Sequence, residues 1–141
     1  MDPGSYTLLV SLPEAATVEF GARGAYDLDA GWYAYTGSAF GAGGLARVER
    51  HRELAAGGRD ARHWHVDYLL GHPETAVESV YVTDHEDVEC EAARRLAGDA
   101  APVAGLGASD CDCDTHLAYA ADRGTLAVAA AAVHDRRWRD G

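Results

Sequence analysis

The sequence predicts an α/β fold of the α+β kind, in which helices flank a small, mostly antiparallel sheet. Residues 6–12 (YTLLVSL) and 32–37 (WYAYTG) are rich in aromatic, β-branched and aliphatic side chains, which is typical of strands. Residues 77–82 (VESVYV) alternate and predict a third strand. Between the second and third strands the apolar spacing becomes helical. The shared helical face would carry Leu45, Val48, His51 and Leu54.

Shorter elements occupy the intervals between these strands. Residues 17–20 and 25–28 flank a glycine-containing turn and predict an inserted hairpin. Residues 63–70 (HWHVDYLL) predict a second helix. We expect Thr83 and Glu86 to form a capping box, because a threonine followed three residues later by a glutamate is a common helix start. The third helix would then run to about residue 96.

The C-terminal part predicts an extension of this core. A loop at 105–114 precedes a short strand at 115–120 and a helix at 125–133, and the basic residues 136–139 (RRWR) predict a mobile tail. A chain of 141 residues fits one domain. We therefore expect a single domain over residues 1–141, with a core at about 4–100, an appended segment at about 101–135 and a tail at 136–141.

Composition favours a cytoplasmic protein from a salt-rich, halophilic cell. There are 23 acidic and 12 basic residues, every base is arginine, and the formal net charge is −11. Such a charge causes self-repulsion that concentrated salt screens. An acidic protein from a GC-rich genome is the alternative. The three cysteines are odd in number, so we expect reduced thiols. The chain shows neither a signal peptide nor an apolar run of about 20 residues, so we expect no membrane partner.

The most specific pattern joins two strand tyrosines to residues of the first helix. A Gly-x-Tyr motif ends at Tyr6, a Tyr-x-Gly motif begins at Tyr35, and Arg47 follows with His51 four residues later. Taken alone, the tyrosines are more typical of core positions, because tyrosines are common in strands. Together, in this order, the motifs resemble the GIY-YIG nuclease superfamily.

The resemblance covers nearly the whole chain. Residues 32–39, 63–70 and 107–119 are similar to the Uri-type branch of the superfamily. Ser5 and Thr36 occupy the middle positions of the two motifs, where isoleucines are usual. Because they are middle positions, we expect these changes to affect packing more than chemistry.

The resemblance implies catalytic roles for four residues. Hydrolysis of a phosphodiester requires an activated water and stabilisation of charge on the phosphate. Tyr6 is implied as the group that activates the water, and Tyr35 as the group that orients the water or the phosphate. Arg47 presents a planar, permanently charged fork to the phosphate. His51 lies on the same helical face as Arg47, although a packed or surface histidine is an equal alternative.

The superfamily also uses one acid from a later helix to hold a divalent cation, and Glu89 and Glu91 are the candidates. At about 100° per residue, Glu89 falls inside the apolar arc of that helix and Glu91 falls outside it. An inward carboxylate needs a partner, so Glu89 is the first choice and Glu91 the second. A single carboxylate suits Mg²⁺, which keeps much of its water, while pairing with an arginine is the alternative. The apolar arc consists of Val88, Ala92, Ala93 and Leu96.

Histidines and cysteines elsewhere form an ambiguous set. Sulfur and imidazole ligands suit Zn²⁺, but the spacing matches none of the common zinc-finger patterns. The alternative is a turn-rich loop near the active face, with the histidines supporting the site indirectly. The members of this set are His63, His65, Cys111, Cys113 and His116.

These observations predict a Mg²⁺-dependent endonuclease that hydrolyses phosphodiester bonds in DNA. Because the protein is acidic, contact with DNA requires a local group of cations, and Arg50 and Arg52 beside Arg47 are the candidates. Two functions of other classes stay open: a nucleic-acid-binding module without catalysis, and a zinc-stabilised interaction domain. The oligomeric state is left open as well.

Overall fold

The computed structural model describes residues 2–20, 24–41, 43–55, 65–70, 72, 74–103 and 116–138, and the side chains of residues 65–67 are outside this description. Within these ranges the strands are β1 Gly4–Leu12, β2 Ala16–Glu19, β3 Ala25–Leu28, β4 Gly31–Ala39, β5 Ala76–Asp84, β6 Ala101–Pro102, β7 Leu117–Ala120 and β8 Arg136–Arg137. The helices are α1 Ala46–Ala55, α2 His65–Leu70, α3 Glu89–Asp99 and α4 Arg123–Val133.

Six of these strands form one sheet in the order β6-β7-β4-β1-β5-β8, and every neighbouring pair is antiparallel. β1 lies in the middle of the sheet and pairs along its whole length with β4. The inserted hairpin forms a separate two-stranded sheet from β2 and β3. The predicted α+β class with a mostly antiparallel sheet is therefore confirmed.

Helices cover both faces of the sheet, which explains why β1 is buried along nearly its whole length. Leu8 and Val10 point to one face, called here the α1 face, where they pack with residues of α1, α2 and the hairpin. Leu9 points to the opposite face, called here the α4 face, where it packs with Leu96 of α3 and Leu126 of α4. Alternate residues of one strand thus serve two different cores.

The first helix forms as its spacing predicts. Val48, His51 and Leu54 are the buried residues of α1, and they lie on one face of it. Gly43 and Gly44 precede the helix with positive φ angles of 86° and 53°, a backbone conformation that glycine adopts without a steric penalty. The small-residue segment before α1 is thereby able to turn the chain from β4 into the helix.

The predicted capping box is wrong. β5 continues to Asp84, and α3 begins only at Glu89, after Val88, which makes no side-chain capping hydrogen bond. Thr83 is buried in the sheet, and its hydroxyl lies 3.1 Å from Nδ1 of His134. The backbone of this segment pairs with β1 up to its last residue, and these ladder hydrogen bonds take precedence over a local helix start.

The tail is also more ordered than the sequence predicts. Arg136–Arg137 forms β8, which pairs with β5, and the backbone N–H of Trp138 donates to the carbonyl of Val80 at 2.7 Å. Arg136 holds the carboxylate of Asp84 through two hydrogen bonds of 2.7 and 3.0 Å. The prediction of a mobile tail is therefore wrong for residues 136–138.

The segment predicted as appended is part of the same sheet. It contributes β6 and β7 beyond β4, and α4 covers the α4 face. The predicted loop at 105–114 lies outside the described residues. No helix within the described ranges combines the length and apolar character needed to cross a bilayer.

Candidate active site

The two motif tyrosines lie on the α1 face of neighbouring strands. Tyr6 is opposite Gly37, and Tyr35 is opposite Leu8, so the two tyrosines are diagonal neighbours across the β1–β4 ladder. Their ring centroids are 6.4 Å apart. Both phenols therefore lie on one face of the sheet.

Gly37 provides the space that the Tyr6 phenol occupies. A Cβ atom at this position would lie 2.6 Å from Oη of Tyr6 and 3.2 Å from Cε2 of Tyr35. The first approach is too close for a Cβ atom, and the second is tight. The glycine of the second motif is thus required because the tyrosine of the first motif lies directly against its backbone.

His51 is the direct partner of Tyr6. It is only 1% exposed, and its Nε2 lies 2.9 Å from Oη of Tyr6, which is hydrogen-bonding distance. Its ring centroid is 5.5 Å from that of Tyr6 and 6.3 Å from that of Tyr35. α1 therefore places this histidine against both tyrosines, and a surface position for His51 is excluded.

Arg47 reaches the same group from the first turn of α1. Its Nη1 donates a hydrogen bond of 2.6 Å to the carbonyl oxygen of Ser38, near the end of β4. Burial raises the pKa of Tyr6, and the Arg47 guanidinium offsets part of that rise through its charge and a side-chain hydrogen bond. The guanidinium is therefore held between the end of β4 and the Tyr6 phenol.

Glu89 enters the site from the first residue of α3. Its side chain is 15% exposed, and its Oε2 lies 3.6 Å from Nδ1 of His116, whose side chain is almost fully buried. Glu91 is exposed. The helical-face argument that turns Glu89 inward and Glu91 outward is thus confirmed, and His116 joins the site through Glu89.

Burial dominates the electrostatics of Tyr6. Desolvation raises the pKa of Tyr6 well above its usual value, Tyr35 and Glu89 raise it further, and Arg47 lowers it. The lowering effect of the Arg47 guanidinium is therefore smaller than the effect of burial, and this cation alone does not make the phenol a ready base. Tyr6 is 1% exposed and Tyr35 is 8% exposed, so the tyrosines lie in a buried site and not in an open cleft.

The other predicted arginines do not all join Arg47. Arg50 is half-buried in the middle of α1. Arg52 lines a groove with Ala76 and Val77 at the start of β5, and Ala76 is opposite Ser11 near the far end of β1 from Tyr6. The arginines of α1 therefore face different ends of the sheet.

The proposed zinc residues fall mainly outside the described residues, where His63, Cys111, Cys113 and the side chain of His65 lie. In the part of the chain that the structure describes, no three His, Cys, Asp or Glu side chains are grouped to hold a metal ion. Among the described residues, the inward carboxylate of Glu89 could serve as a ligand for a cation at this site.

Sequence reasoning missed a polar network on the α4 face. Oγ1 of Thr7 lies 2.9 Å from Oγ1 of Thr36 and 2.8 Å from Nε2 of His134. Ser5, two residues earlier on β1, is fully buried and bonds to the chain before α3. The signal was present in the sequence, because Ser5 and Thr7 are polar residues at alternate positions of the buried part of β1.

These features define an α+β protein with a buried tyrosine–histidine–arginine site at one end of a six-stranded antiparallel sheet. Residues 5–139 match the family described as Domain of unknown function DUF123, and the chain belongs to that family. No curated protein and no solved structure matches it.

Proposed function

We propose that this protein is a GIY-YIG-type endonuclease of the Uri branch, which hydrolyses phosphodiester bonds in DNA with the help of a divalent cation. The motifs that resemble the superfamily support this proposal. The observation that carries it is the 2.9 Å contact between Oη of Tyr6 and Nε2 of His51, in a group that also contains Arg47 and Glu89. A buried, polar set of this composition has the parts that phosphodiester hydrolysis requires.

Tyr6 and His51 act as a pair in this mechanism. Because burial raises the pKa of Tyr6, its phenol is neutral at neutral pH and is a poor base by itself. His51 lies close enough to accept the phenol proton while the phenol oxygen takes a proton from water. The water oxygen then bonds to phosphorus as the bond to the leaving sugar oxygen breaks, and that oxygen takes a proton from solvent.

Arg47 stabilises the charge on the phosphate. Its anchor to the carbonyl of Ser38 fixes the plane of the guanidinium before substrate arrives. A fixed donor requires little reorganisation as the reaction proceeds, so it stabilises developing charge more effectively than a mobile one.

Glu89 would hold the cation. Its carboxylate is accessible but largely enclosed, and it faces the same group as Tyr6. One carboxylate is a sufficient protein ligand for Mg²⁺ when water and phosphate oxygens complete the shell. A cation held there would neutralise charge on the phosphate.

A second candidate function is a nucleic-acid-binding module without catalysis. The burial of Tyr6 and Tyr35 favours it, because a reacting phosphate must reach phenols that are 1% and 8% exposed. Under this alternative Arg47 would still contact the backbone of DNA, but no bond would be broken.

The test is cleavage of single-stranded, duplex and branched DNA with Mg²⁺ or with a chelator, in dilute and in molar salt. We expect metal-dependent cleavage by the wild-type protein. Glu89→Gln should abolish it, and the matched variant Glu91→Gln on the outer side of α3 should cleave normally. Binding of DNA without cleavage would favour the second candidate. Loss of cleavage in Glu91→Gln alone would move the metal ligand to Glu91.

A further inference from the structure

Ser5 connects the start of β1 to the chain that leads into α3. Its side chain is fully buried. The hydroxyl donates to the carbonyl oxygen of Glu86 at 2.9 Å and accepts a hydrogen bond from the backbone N–H of Val88 at 3.0 Å. One hydroxyl therefore satisfies two backbone groups, 81 and 83 residues further along the chain.

This connection reaches the residue just before the proposed metal ligand, Glu89. Val88 is the residue before α3, and its own side chain makes no capping hydrogen bond to the helix. Glu89 is the next residue and the first of α3, and its N–H donates to the carboxylate of Asp87 at 3.2 Å. Ser5 thus supplies from β1 the partner of the Val88 N–H, one residue away from Glu89.

The same strand residue is adjacent to Tyr6. Ser5 and Tyr6 are consecutive in β1 and point to opposite faces of the sheet. Tyr6 points into the catalytic group on the α1 face, while Ser5 bonds to the backbone just before Glu89. Two consecutive residues of β1 therefore connect to the two parts of the site: Tyr6 provides the phenol, and Ser5 bonds to the backbone that leads to the Glu89 carboxylate.

We propose that Ser5 is a positioning residue that fixes the Glu89 carboxylate for cation binding. This inference rests on the proposed function, since it assigns Ser5 a role through the metal ligand. An aliphatic side chain at this position has neither donor nor acceptor for the carbonyl of Glu86 and the N–H of Val88, so the hydroxyl does more than fill space.

The experiment measures Mn²⁺ binding to the free protein by calorimetry, without DNA. Ser5→Ala should raise the Kd about tenfold, because loss of a residue that orients a metal ligand typically costs about 10- to 100-fold in affinity. Thr7→Val is the matched control. It removes a buried hydroxyl from the same face of the same strand, but that hydroxyl bonds to Thr36 and His134, so the Kd should stay at the wild-type value.

Cleavage assays give a second reading of the same effect. In Ser5→Ala, the Mg²⁺ concentration for half-maximal rate should rise about tenfold, while the rate at saturating Mg²⁺ stays near that of the wild type. A loss of rate that saturating Mg²⁺ does not restore would overturn the positioning role.

The outcomes separate this inference from the proposed function. If Glu89→Gln binds Mn²⁺ as the wild-type protein does, both the metal site at Glu89 and the positioning role of Ser5 are refuted. If Glu89→Gln loses binding but Ser5→Ala retains it, or Thr7→Val weakens it equally, only the inference falls. Should Ser5→Ala not fold, amide hydrogen exchange in the wild-type protein decides: the Val88 amide should be protected, and exchange at the rate of an unstructured chain would overturn the inference.

Discussion

The two faces of the sheet each bury a histidine, and the two histidines have different neighbours. On the α1 face, His51 contacts Tyr6 in a group that includes a guanidinium and a carboxylate. On the α4 face, the two ring nitrogens of His134 lie 2.8 Å from Oγ1 of Thr7 and 3.1 Å from Oγ1 of Thr83. The first histidine lies in a group of ionisable side chains, whereas both ring nitrogens of the second contact neutral hydroxyls and the charge of Asp135 also acts on it.

This difference shows how the neighbours of a buried polar side chain indicate whether it serves catalysis or the stability of the fold. Neutral hydroxyls satisfy His134 without offering a proton acceptor of comparable strength, and burial lowers its pKa to about 4. The group around His51 instead contains Tyr6, whose pKa burial raises and on which the charges of Arg47 and Glu89 also act. We therefore expect substitutions on the α1 face to change rate, and substitutions on the α4 face to change stability.

The largest effect is expected at Tyr6. Tyr6→Phe removes the hydroxyl that lies between His51 and the proposed water, and general acid–base groups contribute about 10²- to 10⁴-fold in rate. Steady-state cleavage kinetics measure the loss. Tyr33→Phe is the control, because Tyr33 is a buried β4 tyrosine on the same face whose hydroxyl donates to the carbonyl of Asp29. Equal loss in both variants would contradict a catalytic role for Tyr6.

Arg47 should have the next largest effect. Arg47→Ala should lower the cleavage rate about 10²- to 10³-fold with the fold retained, as removal of a fixed donor to developing charge typically does. Arg47→Lys should recover little, because a point charge does not reproduce the planar fork. The control Arg95→Ala removes an exposed arginine that pairs with Asp99 on α3. Near-normal cleavage by Arg47→Ala would refute the assignment.

His134 should affect stability and its pH dependence, with at most a minor effect on rate. Burial depresses the pKa of His134 from 6.5 to about 4 in the folded protein, and Asp135 offsets this only partly. Stability from the neutral ring is therefore complete above about pH 6.5 and is lost as the pH falls towards 4, by about 3 kcal/mol. Urea unfolding from pH 7 to pH 4 should show a shallower decline for His134→Gln than for the wild type. Parallel curves for the two proteins would contradict this account.

Local patterns were sufficient to predict the elements that carry the site. The spacing of Val48, His51 and Leu54 predicted the buried face of α1, and helical periodicity alone turned Glu89 inward and Glu91 outward. These predictions succeed because they depend only on the geometry of a single element.

Long-range pairing accounts for the predictions that are wrong. Thr83 carries a sequence signal for a helix start, but pairing of its strand with β1 keeps it in the sheet. Arg136 belongs to a basic segment that is typical of a tail, yet it pairs with Asp84, 52 residues earlier. The pKa of Tyr6 depends on its depth in the packed core, which no motif encodes.

The outermost strands of the six-stranded sheet, β6 and β8, are only two residues long. Pro102 in β6 has no N–H to donate, and β8 consists of two arginines, the first of which pairs with Asp84 at the same edge. A neighbouring molecule therefore finds little backbone in these strands that it can extend by adding a strand of its own. At high protein concentration, this favours separate molecules over growth into fibrils.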